Sequence, residues 1–291
     1  MTPDGSTIIY RCLSGPFLRP GVASDIYSIA QGQTQPTQLT HGPLINSWPW
    51  VSPDGRSIVY ISTSWSDAGS HVCVMDMQGR NSHQLTFGNC ADSAPSYSRD
   101  GNKIIFMRAA RHRPYSMGGM IWDDWDVWDM NTDGSSLRQL TFSRFYGIDP
   151  PYFSPNGKHI LFAATFNDGR SPKLLNCLLT CDILDNGAAT KPNVVPIPLF
   201  TKDWAYDSQP SYSPDGSTIA FCSRRSRRPF YGYEIWTTGI DGTNLRQITH
   251  AGSLIEHPIF SPDGNFIYYW EPMGGLWRRD ADGSNPKELV P

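Results

Sequence analysis

The apolar positions of this 291-residue chain come in short continuous runs and never at helical spacing. "GRSIVYI" (55–61), "NKIIFM" (102–107), "KHILFA" (158–163), "STIAFC" (217–222) and "NFIYYW" (265–270) each combine β-branched or aromatic residues over five or six positions. Such runs predict strands. Each follows a turn signature, and the turn recurs: "TPDG" at 2, "SPDG" at 52, "SRDG" at 98, "SPNG" at 154, "SPDG" at 213 and "SPDG" at 261. The turn Asp or Asn falls at 4, 54, 100, 156, 215 and 263. After each comes a second apolar run: "DIYSIA" (25–30), "HVCVMD" (71–76), "WDVWDM" (125–130), "YEIWTT" (233–238) or "GLWRRD" (275–280). A second Gly turn follows, and then a short segment ending in Leu/Ile-Thr, such as "HQLT" (83–86) or "RQIT" (246–249).

Asp-Gly supplies the left-handed backbone that a tight hairpin needs. Four short strands per repeat, joined by tight turns, make one small antiparallel sheet. Such a sheet cannot bury both faces alone, but sheets stacked radially can. The predicted fold is therefore all-β: a six-bladed β-propeller of four-stranded antiparallel blades, forming one domain over 1–291. The first repeat begins at Met1, so blade 1 is expected to lack its innermost strand, and "KELVP" (287–291) reads as an outer strand only.

The repeat "P-x-[FWY]-S-P-D-G-x-x-I-x-[FY]", followed by "Q-L-T", resembles that of the TolB-like, WD40-like propellers over essentially the whole chain. No counterpart of the N-terminal α/β domain of TolB is expected in residues 1–291. The resemblance implies a binding scaffold. Related propellers are polysaccharide lyases or stand beside hydrolase domains, but no G-x-S-x-G nucleophile elbow occurs in this chain. The resemblance also implies a periplasmic or secreted location, although "MTPDGSTIIY" shows no signal peptide pattern.

Composition narrows the function. The net charge of −3 points away from nucleic acid as a partner, and no apolar run is long enough for a membrane helix, so no membrane insertion is expected. A monomer is expected. The six cysteines lack framework spacing and read as buried thiols. More than half of the 24 Lys and Arg fall in or beside the longer loops, among them the expected loop 109–124, interleaved with aromatics. Arg111, Arg113, Tyr115, Trp122, Arg144, Tyr146, Trp204, Arg224, Arg225 and Tyr231 are the candidate ligand-binding residues. Guanidinium forks grip carboxylates and flat rings stack on sugars, so the expected ligand is an anionic oligosaccharide or a protein segment.

The residues that open each innermost strand carry oxygen donors: Asn46, Asp92, Asp149, Asp207 and Glu256. Converging on the propeller axis, they would suit Ca²⁺, and the resemblance points the same way. No catalytic residue is assigned in this reading. The alternative is a metal-dependent lyase of oligogalacturonate-lyase type acting on uronic-acid oligomers. "EHPIFSPDG" resembles that family's last-blade motif, which would give His257 and His250 a catalytic metal role with Mn²⁺.

Overall fold

The computed structural model describes residues 1–13, 23–42, 44–63, 69–114, 120–166, 175–184, 186–195, 206–225, 232–250, 252, 254–271 and 275–290. Among them every regular element is a strand. The chain forms two compact units, Met1–Tyr146 and Gly147–Pro291.

The first unit opens with a three-stranded sheet of β1 (Thr7–Leu13), β2 (Ser24–Ala30) and β3 (Thr37–Gln38). The second sheet comprises β4 (Asn46–Val51), β5 (Ser57–Ser62), β6 (Gly69–Asp76) and β7 (His83–Gln84). The third comprises β8 (Cys90–Tyr97), β9 (Lys103–Pro114), β10 (Met120–Asn131) and β11 (Arg138–Gln139). Within each sheet neighbours in sequence pair antiparallel. A short parallel contact, Gly69 with Cys90 and Ser70 with Ala91, links β6 to β8.

The second unit repeats the plan. Its first sheet has β12 (Gly147–Ile148) and β13 (Tyr152–Phe153) end to end along one edge of β14 (His159–Phe166), then β15 (Leu175–Asp182) and β16 (Asn193–Val194). The next has β17 (Asp207–Tyr212), β18 (Thr218–Ser223), β19 (Glu234–Gly239) and β20 (Arg246–Gln247). The last has β21 (Glu256–Phe260), β22 (Phe266–Glu271), β23 (Gly275–Asp280) and β24 (Lys287–Val290).

The second strands of the four interior repeats, β5, β9, β14 and β18, are buried on both faces, whereas β1 and β22 are only partly buried. Ile104, Ile105 and Phe106 are fully buried, as are Ile160, Leu161 and Phe162. One face packs on the sheet before and the other on the sheet after. Val59 and Ile61 of β5 join Ile104 and Phe106 of β9 in one cluster, and Leu161 and Ala163 of β14 join Ile219 and Phe221 of β18 in another. This explains why these runs read as continuous apolar stretches.

The Ser-Pro-Asp-Gly turns repeat atom for atom. Ser52 Oγ donates to Asp54 Oδ1 (2.6 Å), which also accepts the Arg56 N–H (3.1 Å), while Ser57 N–H donates to Ser52 Oγ (3.0 Å). Ser98, Ser213 and Ser261 make the same bonds with Asp100, Asp215 and Asp263. These bonds stabilise the carboxylate form and hold the four Asp pKa values below the ordinary range. The turns also interlock. A Cβ added at Gly216 would lie 3.1 Å from Cδ of Pro155 in the preceding turn, and one at Gly101 would lie 3.8 Å from Cδ of Pro53.

The stretch 109–124, expected to be a long loop, is mostly strand. β9 and β10 continue their pairing out to Pro114 and Met120.

Candidate functional site

A one-residue irregularity punctuates the innermost strands. In four of them the register shifts just after Ser47, Ser93, Ser208 or Glu256. The next residue, Trp48, Ala94, Gln209 or His257, has a positive φ of 48° to 55°. Such bulges re-aim side chains. Counted back from the strand ends Val51, Tyr97, Phe153, Tyr212 and Phe260, the five expected oxygen donors fall into two sets. Asn46, Asp92 and Asp207 align with Ile148 and Ile255. Asp149 and Glu256 sit one residue later, with Ser47, Ser93 and Ser208. Because strand side chains alternate, an offset of one sends the two sets to opposite sides.

The predicted ring of five equivalent donors is corrected accordingly. Asn46 is buried, with Nδ2 donating to Asp25 Oδ1 at 3.3 Å. Asp92, fully buried, accepts both prongs of the Arg108 guanidinium (2.6 and 2.8 Å) and the Thr86 hydroxyl. Asp207 accepts from Arg225 and from Ser223 Oγ (2.6 Å). Burial nonetheless raises the Asp207 pKa above the ordinary range, and the Arg225 charge and these hydrogen bonds only partly oppose that rise.

Asp149 and Glu256 line one cavity in the second unit, of about 280 Å³, together with Ser208, Gln209, Thr165, Asn176, Tyr206 and Tyr233. Asp149 Oδ2 accepts the Gln209 N–H (3.1 Å), and Gln209 Oε1 in turn accepts the His257 N–H (2.8 Å). One hydrogen-bond relay thus connects three successive innermost segments. Burial, with a smaller contribution from the Glu256 charge, pushes the Asp149 pKa up to about 6. Cys222 is buried behind this relay, with Sγ 3.2 Å from the Ile255 carbonyl, and its thiol is raised well above the usual value by that burial. Asn176 donates to Thr165 Oγ1 (2.9 Å), while its Oδ1 is buried without a hydrogen-bond partner among the described residues.

At the aromatic side of the cavity, Tyr206 and Tyr233 meet edge to face with centroids 6.2 Å apart. The Arg224 guanidinium lies 4.4 Å from the Tyr233 centroid and 5.5 Å from that of Tyr206. Arg224 is exposed and holds this position through cation–π attraction.

The other expected ligand-binding residues divide. Arg225 is buried and committed to Asp207, so it is corrected from a ligand contact to a structural cation. Arg111 and Arg113 are exposed on β9 and pair with Asp124 and Asp123 of β10 at 2.9 and 2.8 Å. Trp122 of β10 meets His112 edge to face. Arg144 closes a turn by donating its N–H to Asp126, and Tyr146 is exposed. These belong to the first unit and Arg224 to the second. Tyr115, Trp204 and Tyr231 lie outside the described residues. His257 and His250 belong to no group of three metal-type donors among the described residues. Sequence reasoning missed Gln209, Tyr233 and Asn176. The bulge position, counted back from each Ser-Pro-Asp-Gly turn, would have flagged Gln209.

The sheets and turns define a β-propeller protein. The family model of the TolB beta propeller domain matches residues 1–182, and the chain belongs to that family. An uncharacterized protein of Agrobacterium fabrum is 29% identical over 200 residues, 68% of this chain and 61% of its own length. The Tol-Pal system protein TolB of Francisella tularensis is 26% identical over 264 residues, 89% of this chain and 52% of its own length. The chain therefore spans about half to three fifths of these relatives. Among solved structures, TolB from Acinetobacter baumannii superposes with a TM-score of 0.70 at 20% identity, covering 97% of this chain and 62% of that one. An oligogalacturonate lyase in complex with manganese gives 0.64 at 14% identity, covering 99% and 75%. At these identities both show the shared fold alone.

Proposed function

We propose that this chain is a noncatalytic binding propeller, and that the Asp149–Glu256 cavity receives the cationic group of a protein segment. The observation that carries this reading is the placement of both carboxylates at equivalent positions, four residues before Phe153 and Phe260. There they face one cavity with the Tyr206–Tyr233 pair beside them. Two carboxylates complement an ammonium or a metal cation and repel a carboxylate. An acidic floor therefore favours a protein segment over an anionic oligosaccharide. The volume of about 280 Å³ suits one side chain and not several sugar rings. The expected Ca²⁺ contracts to the same two carboxylates with the Gln209 amide, as a competitor for the cavity. The lyase reading needs His257 or His250 among metal-type donors, and neither joins such a group among the described residues. A periplasmic location agrees with the family, and its relatives named for the Tol-Pal system favour a protein partner.

Calorimetric titration with N-acetyl-lysine methylamide, Ca²⁺, Mn²⁺ and oligogalacturonate, each separately, tests this. The expected result is binding of the lysine probe that is lost in the Asp149→Asn/Glu256→Gln double variant. Binding of oligogalacturonate with new ultraviolet absorbance from a C=C bond would overturn it in favour of the lyase. Binding of Ca²⁺ but not the lysine probe would make the cavity a metal site.

A further inference from the structure

Three of the six repeats share a Thr–acid latch; at the acid's position the second has His71, the fourth Cys177 and the sixth Gly275. Ile26, Val127 and Ile235 each donate a backbone N–H to a threonine hydroxyl, that of Thr40, Thr141 or Thr249. Each hydroxyl then donates to the acid just before the strand residue: Asp25 (2.8 Å), Asp126 (2.7 Å) and Glu234 (2.5 Å). In the second sheet Val72 N–H still donates to Thr86 Oγ1 (2.9 Å), but the preceding residue is His71. The Thr86 hydroxyl turns instead to Asp92, on the next sheet.

A second departure accompanies the first. Cys90, two residues before Asp92, stands where the equivalent strands have Leu44 and Tyr146. The parallel contact of β6 with β8 brings both departures together. One ligand atom each from His71, Cys90 and Asp92 lie within 4.8 Å of one another, and all three residues are buried. Among the described residues no other three His, Cys, Asp or Glu gather this way.

We propose that His71, Cys90 and Asp92 bind one divalent transition-metal ion of the zinc class. A thiolate and an imidazole select such an ion over Ca²⁺ or Mg²⁺, and three protein ligands leave a fourth position for water. Arg108 and Thr86 occupy three of the roughly four lone-pair positions on the Asp92 carboxylate, which leaves one for a monodentate metal bond. The Arg108 fork fixes the orientation of that carboxylate, as partners of metal ligands commonly do. Binding displaces the Cys90 proton to solvent and forms a metal–sulfur bond with no change of oxidation state. The ion clamps β6 to β8, reinforcing a parallel contact only two residue pairs long.

The test uses the full chain, stripped with a chelator and titrated with Zn²⁺ and Co²⁺. Bound metal per chain, the cobalt–thiolate charge-transfer band and the melting temperature are read together. The expected result is one metal per chain with a thiolate band. Cys90→Ser abolishes the band and weakens binding at least about 10-fold, whereas Cys12→Ser, at an exposed cysteine, changes neither. His71→Asp introduces the acid that the first, third and fifth repeats carry, stays folded and also loses affinity. The proposal is overturned if wild type takes up no stoichiometric metal, or if Cys90→Ser binds it equally. It is also overturned if zinc leaves the wild-type melting temperature unchanged while His71→Asp lowers it, which would make the cluster a buried His–Asp contact only.

Discussion

Asp149→Asn should stabilise the protein, and only above acidic pH. Burial raises the Asp149 pKa from 3.8 to about 6. The folded state therefore binds more protons than the unfolded chain between about pH 4 and pH 6, and wild-type stability falls as pH rises through that window. A shift of about two units at 1.36 kcal/mol each gives a cost of roughly 3 kcal/mol, fully present above pH 6. Asparagine keeps the shape and can still accept the Gln209 N–H through Oδ1, but carries no charge to desolvate. The variant should match wild type near pH 4 and exceed it by up to about 3 kcal/mol at pH 8. For a chain of this length that is roughly 5 °C in melting temperature. Thermal melts of both proteins from pH 4 to pH 8, without divalent cations, measure this. A difference that does not change with pH, or a variant less stable at pH 8, would refute the reasoning. Adding the lysine probe or Ca²⁺ at pH 8 should then raise the wild-type melt and leave the variant unchanged.

Further predictions concern the architecture. Arg108→Ala leaves Asp92 charged and fully buried, and should cost about 3–5 kcal/mol in urea denaturation. Thr249→Val strips the Ile235 N–H and the Glu234 carboxylate of a shared partner, for a loss of about 1–3 kcal/mol by the same assay. Gly216→Ala should cost more than the 1–2 kcal/mol of left-handed strain alone, because its Cβ meets Pro155 at 3.1 Å. Gly5→Ala, with φ of 73° and open space around it, should cost only the strain.

The repeat was legible residue by residue. The Ser-Pro-Asp-Gly turn, the apolar run after it and the Thr-terminated outer strand all rest on contacts within a few residues or one hairpin. Their chemistry is written where they occur. "VSPDGRSIVY" determines its own hairpin, because Asp54, Gly55 and Ser52 complete the turn among themselves.

The candidate sites were legible only as inventory. Asp149 and Glu256 were marked as oxygen donors, but so were Asp92 and Asp207, and residue type does not separate the two pairs. A one-residue offset relative to the strand end does so, and the fold gives it meaning by turning one pair into a cavity and the other onto Arg108 and Arg225. The hairpin at 109–124 looked like a loop because its strands carry charge, which pairs across the hairpin as Arg111–Asp124 and Arg113–Asp123. His71 and Cys90 are nineteen positions apart and looked unrelated, until the parallel contact of two sheets set them beside Asp92. Sequence alone determined the turns, the strands and the repeat, because those depend on neighbours along the chain. Tertiary structure decided which polar side chains meet, because that depends on side-chain direction and on pairings between sheets that no local stretch encodes.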